Sequence, residues 1–167
     1  MIEAIERFFL EIVGEELCVM ICSMVPIIEC RGAVPMGAIL GLPWWQTMLF
    51  AIVGNFLPVP FILLFIRKIL VWMRSSRVKL FARVATWVDA KAEKHKEKIE
   101  KYSYLGVMIF VAIPFPGTGA WTGTLIASVL KMDFKKSMLA AFAGVVIATT
   151  IMTLGAYGVV GLFNLFA

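Results

Sequence analysis

Pro114-Phe115-Pro116-Gly117-Thr118-Gly119 lies at the centre of an uncharged run that extends from Tyr102 to Leu130. Two prolines and two glycines so close together do not continue a helix. The two flanking arms, residues 103–113 and 120–130, are nevertheless apolar enough to lie in a bilayer. Irregular backbone at membrane depth is tolerated only where it is buried in protein or lines a cavity. The stretch therefore predicts a hairpin tip or the break of a discontinuous helix.

The composition of the chain is that of an integral membrane protein. The chain has 167 residues, of which 61% are hydrophobic, and its mean hydropathy is +0.91. Three long runs carry no charged residue: 32–66, 102–130 and 137–167. These values favour an all-α membrane protein with a single domain.

The positive charge is concentrated between Arg67 and Lys101, where eleven Lys or Arg residues stand against four Asp or Glu. A basic segment between apolar runs is typical of a cytoplasmic loop. Nucleic-acid binding would also suit a basic chain, but no stacking or groove-reading motif accompanies the charge. Cys18 and Cys22 share a helical face without a nearby histidine, and His95 lies in the charged segment. We therefore expect no metal, no cofactor and no nucleic-acid partner.

The chain divides into four segments. Residues 1–16 read as an amphipathic helix along the membrane interface. Residues 17–66 form a first unit with an interruption from Pro26 to Pro35, followed by a spanning helix over 46–66 that is kinked near Asn55, Pro58 and Pro60. Residues 67–101 form the basic segment, which begins with an amphipathic helix over 69–90. Residues 102–167 form a second unit that ends in a spanning helix over about 137–160, where Ala140, Gly144 and Ala148 allow close helix packing.

The lysines that follow the opening stretch indicate how it crosses the membrane. The run 103–130 would be about 42 Å long as one helix, and each arm alone would be about 16 Å, half of a bilayer core of about 30 Å. If the run spanned the membrane, Lys131, Lys135 and Lys136 would lie opposite the basic segment. If it re-enters, all of them are cytoplasmic, which the positive-inside rule favours. The same reasoning predicts a second hairpin over 17–42 that enters from outside.

A hairpin followed by a span would then occur twice, in opposite orientations. Gly37-Ala38-x-x-Gly41 matches Gly119-Ala120-x-x-Gly123, and Thr47-Met-Leu-x-Ala-x-x-Gly54 matches Ser137-Met-Leu-x-Ala-x-x-Gly144. The second copy has eight more residues between its two matches. Inverted repeats with broken helices are typical of transporters.

Two stretches resemble the signature motifs of the small multidrug export protein family: Ile28-Glu29-Cys-Arg31-Gly32-Ala33-Val-Pro35, and the run from Ile113 to Gly123. That family is similar in plan to the DedA/VTT (SNARE-associated) membrane proteins, which include lipid scramblases and polyprenyl-phosphate translocases. The resemblance implies two facing re-entrant hairpins in a bacterial or archaeal plasma membrane. It also implies a carboxylate in the first hairpin, which Glu29 matches, and an arginine after the Pro-Gly of the second. No arginine follows Pro116-Gly117; the arginine in the apolar sequence is Arg31.

The candidate substrate and coupling residues lie in these two stretches. An arginine fork suits a phosphate or carboxylate, a buried Glu can exchange a proton, and glycines let a head group approach the backbone. A helix that restarts after Gly117, with Thr118 as its N-cap, would present free N–H groups to an anion. The alternative is structural: an ion pair that pins one hairpin, and glycines that serve packing. The predicted site comprises Glu29, Arg31, Gly32, Pro35, Pro114, Pro116, Gly117, Thr118, Gly119, Trp121 and Thr122.

Four functions compete. The first is a flippase or translocase for a lipid with an anionic head group, proton-coupled through Glu29. The second is a proton-coupled exporter of cationic hydrophobic compounds, which Arg31 beside Glu29 would oppose. The third is an intramembrane enzyme, which lacks a buried histidine, an acidic pair at metal spacing and a nucleophile–base pair. The fourth is a structural membrane protein.

We therefore expect a non-enzymatic transporter in the plasma membrane whose partners are membrane lipids and an amphiphilic substrate. A homodimer is also expected, since two copies would enclose a larger cavity. The basic segment 67–101 and the loop 131–136 are predicted to be cytoplasmic, and both termini are predicted to be outside.

Overall fold

The computed structural model describes residues 14–75, 103–115 and 118–166, together with the isolated positions 83, 86 and 90. The predicted interfacial helix over residues 1–16, most of the basic segment, and Pro116 and Gly117 lie outside these ranges. The regular structure in the described part is entirely helical. In chain order the helices are α1 (Glu15–Met24), α2 (Glu29–Ile39), α3 (Trp44–Phe56), α4 (Val59–Ser75), α5 (Ser103–Ala112), α6 (Ala120–Val129) and α7 (Phe134–Phe166).

In the described part of the chain, two segments are long and apolar enough to cross a membrane: Trp44–Ile66, with a mean hydropathy of 2.4, and Phe134–Val159, with a mean hydropathy of 2.0. The first is interrupted near the position of the predicted kink, because α3 ends at Phe56 and α4 begins at Val59. Pro58 and Pro60 have no N–H to donate within a helix, which explains the interruption there. The second begins three residues earlier than predicted, at Phe134.

The surface is unusually apolar for a protein in water. Large hydrophobic side chains are exposed on several helices, among them Ile39 (83%), Leu139 (71%) and Leu154 (71%). Exposed apolar side chains scattered singly are normal, but a surface that carries so many on the two long helices suits hydrocarbon. The described part of the chain is thus compatible with a helical membrane protein.

The helices form two compact units, one of residues 1–57 and 145–167 and the other of residues 58–144. In the first unit, α1, α2 and α3 all contact one another. Its core contains Val19, Cys30, Ala33, Val34, Leu42, Ala51 and Ala148. The hydroxyl of Ser23 donates to the Ala51 carbonyl oxygen at 2.7 Å, which joins α1 to α3.

In the second unit, α4 packs on α6. Leu70 is buried against Ile66, Leu125 and Val129. The Ser128 hydroxyl donates to the Leu63 carbonyl oxygen at 3.3 Å. Between α5 and α6, a Cβ at Gly123 would lie 2.6 Å from Val111 Cγ2, so only glycine allows this approach.

The short helices α2 and α6 end in the same way. The N–H of Leu42 donates to the Gly37 carbonyl at 3.1 Å, and that of Met132 donates to the Ala127 carbonyl at 3.0 Å. Both ends are Schellman motifs, with a left-handed residue at Gly41 (φ 80°) and at Lys131 (φ 57°). The two motifs are 90 residues apart in the sequence, and so are the beginnings of the next helices, Trp44 and Phe134.

This spacing changes the alignment of the predicted repeat. The match of residues 47–54 with 137–144 has the same 90-residue spacing, whereas the match of Gly37-Ala38 with Gly119-Ala120 does not. If the two Schellman motifs are aligned, Gly37 pairs with Ala127. This alignment needs no insertion of eight residues in the second copy. Glycine and alanine recur so often in apolar helices that their matches do not fix a register.

Candidate functional site

Glu29 opens α2 in a strained conformation. Its φ is 49°, in the left-handed region, which costs a residue other than glycine about 1–3 kcal/mol. Its N–H donates to the Val25 carbonyl at 2.9 Å, so the preceding turn fixes the strained backbone. The residue is 3% exposed. A strained, buried carboxylate at a helix start is the kind of feature found at binding sites.

Arg31 and Glu29 form an ion pair between Arg31 Nη1 and Glu29 Oε2. The side chain of Arg31 is 15% exposed and that of Glu29 is 4% exposed, so most of the pair is withdrawn from solvent. The pair itself was one of the two sequence interpretations, and the structure confirms that it forms. Desolvation makes such a pair weak evidence for stability, so its formation alone does not decide between a structural role and a functional one.

Gly32 and Pro35 follow in the same helix. A Cβ at Gly32 would lie 2.5 Å from Ile28 Cγ2, so the turn before α2 leaves little room there. Pro35 was predicted to belong to the interruption between Pro26 and Pro35, but it lies inside α2. Seven residues into the helix it removes one hydrogen bond without ending the helix. The actual break in the first unit is therefore limited to residues 25–28.

The second stretch does break the chain as predicted. Helix α5 ends at Ala112, Pro114 is non-helical and exposed, and α6 begins at Ala120. Thr118, however, is not the N-cap of α6. That position belongs to Gly119, which has extended backbone (φ −179°) and makes no side-chain capping bond. The Thr118 hydroxyl lies 2.9 Å from the carbonyl oxygens of both Ile113 and Phe115, so it closes the turn instead.

Trp121 and Thr122 lie in the first turn of α6 and are both half-buried. In the same turn, Gly119 and Ala120 are buried. The N–H groups of a first helical turn have no partner within the helix, and in the sequence argument these are the groups that would face an anion. With Thr118 as its N-cap the helix would have begun at Gly119, so α6 starts one residue later than predicted.

The structure thus groups the predicted residues by unit. Glu29, Arg31, Gly32 and Pro35 lie together on α2 in the first unit. The remaining described residues, which are Pro114, Thr118, Gly119, Trp121 and Thr122, lie together around the α5–α6 connection in the second. With the 90-residue spacing, the start of α2 at Glu29 corresponds to Gly119, directly before α6. The two signature stretches therefore occupy equivalent helix starts.

Sequence reasoning missed a buried polar cluster in the first unit. The side chains of Asn55 and Thr149 face the Cys30 thiol, which is next to both Glu29 and Arg31 in the chain. Asn55 and Thr149 are at most 1% exposed. Asn55 Oδ1 and Thr149 Oγ1 have no hydrogen-bond partner in the described part of the chain. Uncharged polar residues inside apolar spanning runs were the available signal, because such residues usually bond across helices.

Tyr157 was also missed. Its hydroxyl donates to the Leu42 carbonyl at 2.7 Å and lies 2.6 Å from Thr47 Oγ1, which must then be the donor of the second bond. These bonds connect α7 to the turn between α2 and α3. They hold the final helix against the element that carries Glu29 and Arg31.

Residues 29–151 match the family model described as "Putative small multi-drug export protein". The matched segment begins at Glu29 and includes both signature stretches except Ile28. No curated protein and no solved structure is significantly similar to this chain.

Proposed function

Because the chain belongs to the small multi-drug export protein family, whose model covers residues 29–151, we propose that it is a membrane transporter for an amphiphile with an anionic head group. The favoured substrate is a lipid phosphate, moved by a DedA-like flippase or translocase activity. The observation that carries the proposal is Arg31, a mostly buried guanidinium that is paired with the buried Glu29 carboxylate.

The ion pair supplies a mechanism of exchange. A phosphate offers the guanidinium the same bidentate geometry as a carboxylate, so the substrate competes with Glu29 for Arg31. Once displaced, a buried carboxylate is costly unless it binds a proton. Substrate entry at Arg31 is thereby coupled to proton uptake at Glu29. The left-handed backbone of Glu29 is a strained conformation of the kind that clusters at binding sites, which supports a role for Glu29 in this exchange.

The second signature stretch is proposed to serve the same substrate. Gly117 and Gly119 let a head group approach the backbone, and the first turn of α6 offers N–H donors to an anion. Pro114 and Pro116 disfavour a continuous helix through the connection between α5 and α6. Thr122 adds a hydroxyl, and Trp121 adds an aromatic surface for the apolar part of the substrate. With the 90-residue spacing, Gly119 is the counterpart of Glu29 and Thr122 is the counterpart of Gly32.

The proposed topology has two re-entrant hairpins, α1–α2 and α5–α6, each followed by a spanning helix, in inverted orientation. Helices of 10 and 11 residues are about 15 and 17 Å long, half of a bilayer core of about 30 Å. The repeated helix ends at Gly41 and Lys131 support the repeat. In this topology, residues 67–101 and 131–136 are cytoplasmic and both termini are outside the plasma membrane. A homodimer remains part of the proposal.

The description of the family favours a second candidate, the proton-coupled export of cationic hydrophobic compounds. In that case Glu29 would bind the cation or the proton in turn. The Arg31 guanidinium opposes this, since it already neutralises Glu29 and would repel a cation beside it. If the protein has a structural role without transport, the ion pair would serve only to stabilise the start of α2.

Transport by the purified full chain in proteoliposomes tests the proposal. One probe is a fluorescent polyprenyl phosphate and the other is the cationic dye ethidium, each with and without a pH gradient. We expect movement of the phosphate lipid, altered by the gradient, and no movement of ethidium above that in protein-free vesicles. Ethidium transport without phosphate transport would replace the proposal by the drug exporter, and transport of neither would favour the structural role.

A further inference from the structure

A groove of about 500 Å³ lies between α2 and α7 in the first unit. Helix α2 contributes Pro35, Ala38 and Ile39, and α7 contributes a stripe from Ile151 to Val159. Each lining side chain is apolar. The volume is within the range of about 300–1,000 Å³ that small-molecule pockets have. It is thus an apolar cleft that is open on one side and large enough to take a hydrocarbon chain.

Small residues create the groove. A Cβ at Gly155 would meet no atom within 4 Å, so the space beside it is open. Met152 and Ala156, its neighbours on α7, also pack against the buried core of the unit. The floor of the groove is therefore part of the packed interior. Its shape depends on the absence of side-chain volume at Gly155 on one wall and at Ala38 on the other.

The groove is in line with Arg31. In an α-helix, residues three, four and seven positions apart lie on one face, so Arg31, Pro35 and Ala38 share a face of α2. With a rise of about 1.5 Å per residue, Arg31 lies about 6 Å along the helix axis from Pro35 and about 10 Å from Ala38. A cationic group thus stands one turn from the apolar groove on the same side of the same helix.

We infer that this groove holds the hydrocarbon tail of the transported amphiphile while its anionic head group is bound at Arg31. The inference rests on the proposed function and specifies its substrate: a phosphate attached to a hydrocarbon chain. A small polar anion would leave the groove unused, and a cation would be repelled at its Arg31 end.

The groove acts by shape. Lipid tails are as apolar as the lining, so a tail that leaves the bilayer for the groove gains little hydrophobic free energy. Selectivity for the substrate then comes from binding of the head group at Arg31. The groove fixes the direction in which the tail extends from that head group. Filling the groove should consequently reduce binding of tailed phosphates without removing the charge at Arg31.

The test uses photo-crosslinking in proteoliposomes of the full chain. The probe is an alkyl phosphate with a diazirine at the end of its tail, and an alkyl alcohol of equal length is the neutral control. Gly155→Leu and Ala38→Leu fill the groove from opposite walls. Gly158→Leu is the matched control, because a Cβ at Gly158 also meets no atom within 4 Å and Gly158 does not line the groove. Melting temperatures verify that all variants are folded.

We expect the phosphate probe to label residues 35–39 and 151–159. Labelling should fall about tenfold in both groove-filling variants, the factor that corresponds to about 1.4 kcal/mol of binding free energy. It should fall likewise in Arg31→Gln and stay unchanged in Gly158→Leu. If the amount of labelling is the same in Gly155→Leu and Ala38→Leu as in the wild type, the inference is overturned.

The inference is also overturned if the phosphate and the alcohol label the groove equally and Arg31→Gln does not change that labelling. The groove would then hold ordinary lipid. The transport assay distinguishes a failure of the groove assignment from a failure of the proposed function. If Arg31-dependent phosphate transport continues in Gly155→Leu at the wild-type rate, the function stands and the groove assignment fails. If no Arg31-dependent transport exists, the function fails, and the inference fails with it.

Discussion

Gly54 and Gly144 occupy equivalent packing positions in the two units of the chain. A Cβ at Gly54 would meet the carbonyl oxygen of Met20 in α1, and one at Gly144 would lie 2.7 Å from the carbonyl oxygen of Met108 in α5. In each unit a glycine of a long helix thus lies directly on the backbone of a short helix. The two glycines are 90 residues apart, the same spacing as the helix ends at Gly41 and Lys131.

Alanine at either glycine should destabilise the protein. Gly54→Ala and Gly144→Ala force the long helix away from a backbone that cannot give way, and overpacking of this kind costs about 1–3 kcal/mol. Gly155→Ala is the control, since its Cβ enters open space, and it should leave stability unchanged or slightly raised. Thermal unfolding in one detergent measures all three. Equal melting temperatures for Gly54→Ala and Gly155→Ala would contradict the close approach.

Tyr157→Phe should loosen α7 from the turn between α2 and α3. The variant loses the bond to the Leu42 carbonyl and the bond from Thr47 Oγ1. At about 0.5–1.5 kcal/mol per hydrogen bond, the expected loss is about 1–3 kcal/mol of unfolding free energy. In a double-mutant cycle with Thr47→Val, the two losses should not add, because each removes the same bond. Tyr104→Phe, whose hydroxyl accepts only a long bond of 3.4 Å from the Asp133 N–H, should have little effect.

The ion pair predicts an asymmetry between single and double variants. Arg31→Gln leaves the Glu29 carboxylate buried without its cation, and breaking a buried pair typically costs about 3–5 kcal/mol. Glu29→Gln/Arg31→Gln removes both charges and should recover most of that loss. Melting temperatures of these two variants and of the wild type test this. A double variant that is less stable than Arg31→Gln would show that the charges do not compensate each other.

The proposed re-entrant topology predicts where added cysteines react. In a variant without Cys18, Cys22 and Cys30, single cysteines at Lys131 and at the C-terminal Ala167 should react with a membrane-impermeant maleimide from opposite sides. One spanning helix, α7, separates them in the proposed topology. If both cysteines reacted from the same side, the hairpin topology would be wrong, since α7 would then not cross the membrane.

Much of the helical pattern could be predicted from the sequence because proline and glycine act locally. The interruption between α5 and α6 and the kink before Val59 both follow from missing N–H donors and free backbone rotation. The membrane family was identified from the two signature stretches and is confirmed by the match over residues 29–151. The ion pair between Glu29 and Arg31 was also among the predictions.

What the sequence did not reveal depends on contacts between distant residues. Pro35 stays helical because the packed unit around α2 tolerates one missing bond. Thr118 turns to the carbonyls of Ile113 and Phe115 rather than capping α6, a choice set by the turn it closes. The end of α6 depends on the left-handed conformation of Lys131, which residue type alone does not predict.

Transport of a fluorescent polyprenyl phosphate by the Glu29→Gln/Arg31→Gln variant is the most direct test of the central claim. The double variant keeps the packing volume of α2 and removes the charge to which we assign the head group. At equal incorporation into proteoliposomes and with a melting temperature near that of the wild type, the account predicts transport no faster than in protein-free vesicles. Transport at the wild-type rate would contradict it, and the Glu29–Arg31 pair would then be a structural contact only.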